Sequence, residues 1–145
     1  MRIRTALICF FLQSVISFAA PVIVLPDKQE KLAFPPGEPQ AYAADFLNEI
    51  ILEATGKKLK IVPESRAGQY PERIFIGSTD AASQLIGELN SLKPEALVVR
   101  SKGGDLILCG EVSPDGIDRG TLFAVYEYLE QALGVRWYYP DDRRI

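Results

Sequence analysis

The sequence predicts an α/β domain of two layers, a mixed β-sheet with about three helices packed on it. Three observations carry that expectation. Short apolar runs alternate with stretches of helical period, a closely spaced strand pair interrupts the alternation, and glycines stand where helices should stop. A hairpin inside an alternating order of strands and helices puts antiparallel pairing beside parallel pairing.

The elements follow in order. Val22 to Leu25 is an apolar run between Pro21 and Pro26, fit for a strand. Ala33 to Pro39 is a proline-rich connector. A helix is predicted from about Pro39 to Thr55, with Pro39 in the first turn, Gly56 as left-handed cap, and Ala43, Phe46, Leu47, Ile50 and Ala54 on one face. Leu59 to Val62 reads as a second strand, Pro63 to Pro71 as a polar loop, and Arg73 to Gly77 as a third strand. Ser78 or Thr79 caps a helix predicted to reach Leu92. Ala96 to Arg100 and Asp105 to Cys109 are strands joined by Ser101-Lys102-Gly103-Gly104, a tight hairpin signal. After a loop from Gly110 to Asp118, the last helix runs from Gly120 to Leu133 with Leu122, Val125, Tyr126, Leu129 and Leu133 on one stripe. Val135 to Tyr139 closes the order as a strand. The core is expected to include Leu47, Ile50, Ile74, Ile76, Leu108, Val125 and Leu129.

At 145 residues, 48% hydrophobic and 24% charged, the chain suits one globular domain. Its first 20 residues read as a signal peptide. Arg2 and Arg4 form a basic start, Ala6 to Ile16 is apolar apart from Gln13 and Ser14, and cleavage is expected after Ala19 or Ala20. A membrane anchor, the competing reading, needs about 20 apolar residues. Removing the leader leaves 14 of the 16 basic residues against 19 acidic ones, a net charge of −5. That excess argues against nucleic acid or an anionic membrane surface as partner. Cys9 leaves with the leader, so Cys109 stands alone in an apolar strand as a buried, inert thiol.

The chemistry-bearing residues are few. There is no histidine, which removes Ser-His-Asp and Cys-His nucleophilic machinery and the common zinc sites. No metal ligand set, cofactor motif or catalytic residue is assigned. Gly77-Ser78-Thr79 follows a strand and opens a helix like a phosphate cradle, but it lacks the ending of a P-loop and the spaced glycines of a dinucleotide site. Helix capping explains it better. Asp115 and Asp118 share a loop, and Asp141-Asp142 follow the last strand. A glycosidase pair must face across a bond roughly 5 to 10 Å apart, so these four read as turn formers and solvated charge. Arg119 and Arg136 are candidate ligand contacts, with Arg136 alternatively packing along its strand or pairing with an acidic neighbour.

Trp137, Tyr138 and Tyr139 form the one aromatic concentration with a functional reading. Aromatic faces stack on sugar rings and are favoured at protein interfaces. Strand alternation places Trp137 and Tyr139 on one face and Tyr138 on the other. Trp137, Tyr139 and Arg136 are therefore the candidate binding residues, for docking or for sugar; core and edge packing is the plainer alternative.

Several segments together resemble the small α/β domain that precedes the catalytic barrel in exported glycoside hydrolases, among them β-N-acetylhexosaminidases (domain 2), α-glucuronidases (the N-terminal domain) and related bacterial proteins. They are Arg73-Ile74-Phe75-Ile76-Gly77, Gly103-Gly104-Asp105-Leu106-Ile107-Leu108-Cys109-Gly110, the run from Arg119 to Glu130, and Leu133-Gly134-Val135-Arg136-Trp137-Tyr138-Tyr139-Pro140. The first helix with Thr55-Gly56-Lys57 also fits. The resemblance spans about Pro21 to Asp142, its last block is the most specific, and it leans toward the uncharacterised and α-glucuronidase-like branch over the hexosaminidases.

In that family the catalytic carboxylates belong to the barrel downstream, so the resemblance carries no catalytic residue onto this chain. It implies a signal peptide over 1–20, an accessory domain over 21–142, and the start of a linker over 143–145. The expected function is a non-catalytic, secreted or periplasmic accessory domain of a carbohydrate-active enzyme, a fragment or truncated product whose partner is a catalytic barrel. The alternative is an independent carbohydrate-binding module with an aromatic platform.

Overall fold

Strict side-chain alternation sorts the strands of the main sheet into two apolar clusters, one on each face. The computed structural model describes residues 20–27, 39–83, 96–111, 118–139 and 142–144, the backbone alone being described at 138, 139 and 142–144. Five strands form the main sheet in the order β2-β1-β3-β5-β4: β1 (Val22–Leu25), β2 (Ile61–Pro63), β3 (Arg73–Ile76), β4 (Leu97–Lys102) and β5 (Asp105–Gly110). β2, β1, β3 and β5 run parallel, and β4 returns antiparallel to β5. The mixed sheet expected from the hairpin is therefore present. Its turn is Gly103-Gly104, between the paired Lys102 and Asp105, and Gly103 takes a φ of +64° that favours glycine.

One face carries Ile23, Leu25, Ile74, Ile76 and Leu108, and on it lie both long helices, α1 (Pro39–Thr55) and α2 (Arg119–Leu133). α1 contributes Ala43, Ala44, Leu47 and Ile50, and α2 contributes Ala124, Val125 and Leu129. Each of the larger aliphatic side chains here stabilises the fold by about 1.5–3 kcal/mol relative to exposure. All seven expected core residues are buried. The opposite face gathers Val22, Val24, Phe75, Ile107 and Cys109 with Val62, Ala67 and Ala82.

The register also pairs charge. Arg73 lies beside Asp105 across β3 and β5 and donates to its carboxylate from Nε and Nη2 at 2.7 and 2.8 Å. Asn48, buried on α1, replaces the first pairing expected of the second strand. Its Oδ1 accepts from the Leu59 N–H at 2.7 Å and its Nδ2 donates to the Leu59 carbonyl at 3.0 Å, so β2 starts at Ile61 rather than Leu59. The expected loop after it contains a 3-10 helix, Glu64–Gln69, tied down where Ser65 donates from its N–H and hydroxyl to Asp27.

α2 stops as its sequence implies: Gly134 takes a φ of +70° and the Val135 N–H reaches back to the Leu129 carbonyl at 3.3 Å. The buried stripe ends sooner than expected. Leu133 is 38% exposed and Ala54 is exposed, because each sits in the last turn of its helix, beyond the apolar area of the sheet. Of the helix expected to reach Leu92, 80–83 is helical and the remainder lies outside the described residues, as do the leader over 1–19, most of the proline-rich connector and Asp115. After α2, β6 (Arg136–Tyr139) pairs antiparallel with β7 (Asp142–Arg144), so Arg143 and Arg144, expected to open a linker, lie in a strand.

Candidate functional site

The aromatic concentration extends well beyond the closing strand. α1 presents Tyr42 and Phe46 one turn apart on the flank of its buried face, and α2 presents Tyr126 against Phe46. The two helices lie side by side on the sheet, so these rings meet, and β6 brings Trp137 back onto them. Phe46 is the hub, with its ring centroid 5.1 Å from Tyr126, 5.8 Å from Trp137 and 6.4 Å from Tyr42. Tyr126 and Trp137 are 5.4 Å apart. Phe46 meets Tyr126 edge to face at 85°, while Trp137 is tilted against both, arrangements that the ring quadrupoles favour.

The cluster is half in water. Tyr42 is 44% exposed and Trp137 38%, while Phe46 and Tyr126 are half-buried. Burial pushes the Tyr126 phenol above its ordinary pKa, and the neighbouring Tyr42 adds to the shift. The result is an aromatic surface whose exposed rings rest on the half-buried Phe46 and Tyr126.

The three candidate residues fare differently. Trp137 joins the cluster. Arg136 turns to the end of α2, where its Nη1 donates to the Glu130 carbonyl at 3.1 Å and the Val135 carbonyl at 3.0 Å, and lies 3.4 Å from the Glu130 carboxylate. A cation there complements the helix dipole, and this matches the pairing with an acidic neighbour read from the sequence. Tyr139 pairs through its backbone with Asp142, and a bulge intervenes: two steps along β6, from Trp137 to Tyr139, match one step along β7.

A second cluster gathers polar groups beyond the end of β3. Asp118 was expected to be solvated, yet it is 2% exposed and caps α2. Its carboxylate accepts from the Thr121 N–H and hydroxyl, both at 2.9 Å, and from Gln40 Nε2 of α1 at 3.0 Å. Burial raises the Asp118 pKa, and those three hydrogen bonds oppose the rise. The reason for the correction is local: an aspartate just before a helix is held by the orphan amides of the first turn, and α1 then covers it. Burial, with the nearby Asp118 charge, also pushes the Cys109 thiol up to about 11, which fits an inert side chain.

Gly77-Ser78-Thr79 behaves as a cap. Thr79 Oγ1 accepts from the Ala82 N–H at 3.2 Å, while the Glu64 carboxylate accepts from the N–H groups of Asp80 and Ala81 at 2.9 and 3.3 Å. The amides that a phosphate would need are taken. Gly77 takes a φ of +84°, a conformation that favours glycine.

Among the described residues, no three Cys, Asp or Glu side chains gather as a metal-holding group, and no helix is long and apolar enough to cross a membrane. Compared with protein-family models and with curated proteins, the chain matches none.

Sequence reasoning singled out Trp137 but missed the partners that surround it. The signal was present in the four-residue spacing of Tyr42 and Phe46 and in the flank position of Tyr126. What it lacked was the adjacency of α1 and α2, which are 64 residues apart from the end of one to the start of the other.

Proposed function

We propose that this chain is a non-catalytic accessory domain of a secreted carbohydrate-active enzyme, and that its aromatic surface packs against a catalytic barrel. The observation that carries the reading is the four-ring cluster of Tyr42, Phe46, Tyr126 and Trp137, with Tyr42 and Trp137 exposed. Contiguous exposed aromatic area is characteristic of interfaces. Secretion rests on the basic and apolar leader, and the nature of the partner rests on the resemblance of the segments from Arg73 to Pro140. The chemistry on the glycan then belongs to the barrel, and this chain supplies its support.

Sedimentation of the mature domain, alone and mixed with a separately expressed barrel encoded with it, tests the proposal. Association is expected, weakened at least tenfold by Tyr42→Ala, which removes an exposed ring of the cluster and leaves the core in place. A domain that ignores the barrel would sink it.

A carbohydrate-binding module is the second reading, favoured by the exposure of Trp137. The tilt of Trp137 against Phe46 and Tyr126 weighs against a flat platform for stacked sugars, and Arg136 is engaged by the end of α2. Binding of xylan or chitin fragments that vanishes in Trp137→Ala, without any barrel association, would decide for this reading.

A further inference from the structure

No further inference is drawn: the strongest candidate, the polar cluster of Gln40, Ser78 and Asp118 where the first turns of α1 and α2 meet beyond the end of β3, is made of helix-end caps, and its unpartnered atom, Gln40 Oε1, belongs to a side chain that is only partly buried and already held through Nε2, so nothing there points to a ligand.

Discussion

Trp137 and Phe46 lie 5.8 Å apart by ring centroid, and through that contact the closing strand is fastened to the first helix. A residue that sequence reading offers as a free platform is thus partly structural. Burying a Trp fully is worth about 3–5 kcal/mol against Ala; at 38% exposure, Trp137→Ala is expected to cost about 1–3 kcal/mol. Urea unfolding followed by far-UV circular dichroism measures this, and a loss under about 0.5 kcal/mol would show that the indole is not part of the fold.

Leu129 lies fully buried between α2 and the sheet, whereas Leu133, one turn on, is 38% exposed. Leu129→Ala should cost about 2–5 kcal/mol, and Leu133→Ala less than about 1 kcal/mol. Equal losses in thermal unfolding would mean that the buried face of α2 has been misplaced.

Gly110 and Gly120 make a backbone crossing where α2 meets β5. A Cβ on Gly110 would fall 2.2 Å from the Gly120 carbonyl carbon, and one on Gly120 would fall 2.7 Å from the Glu111 nitrogen. Backbone cannot step aside as a side chain can, so Gly110→Ala should cost about 3 kcal/mol or prevent folding. Gly68→Ala is the control, since a Cβ there meets nothing within 4 Å. If both variants melt alike, the close approach is not present.

The buried Asp118 carboxyl makes stability depend on pH in a defined sense. Its pKa is raised in the folded state by burial. The folded chain therefore keeps a proton that the unfolded chain has released. Stability contributed by this group is present below the ordinary carboxylate pKa and falls as pH rises through the folded one. Asp118→Asn should flatten that slope while preserving the cap; Asp118→Ala, which leaves the Thr121 amide and Gln40 without their acceptor, should cost about 1–2 kcal/mol. Unfolding free energies from pH 3 to 8 provide the test, and a slope unchanged in Asp118→Asn would refute the assignment.

Cys109 should resist modification in the folded chain. Its thiol is fully buried, with a pKa near 11, so a thiol reagent at pH 8 should react slowly until denaturant opens the core. Rapid reaction of native protein would show that this part of β5 opens readily.

Periodicity made most of the fold legible. Alternation in Arg73 to Ile76 and Asp105 to Cys109, and the glycines after α1 and α2, follow from local sterics that each segment carries with it. The errors fall where a distant group competes for a local one. Asn48 takes the backbone groups of Leu59, and Gln40 of α1 closes over Asp118.

Sequence alone determined the element types, the mixed sheet and the apolar faces, because these depend on side-chain order within short stretches. Tertiary structure alone decided that Asp118 is buried, that Gly110 and Gly120 touch, and that Tyr42, Phe46, Tyr126 and Trp137 form one surface. These features join residues 10 to 95 positions apart, and such pairs meet only once the helices are laid on the sheet and, for the rings and Asp118, beside each other.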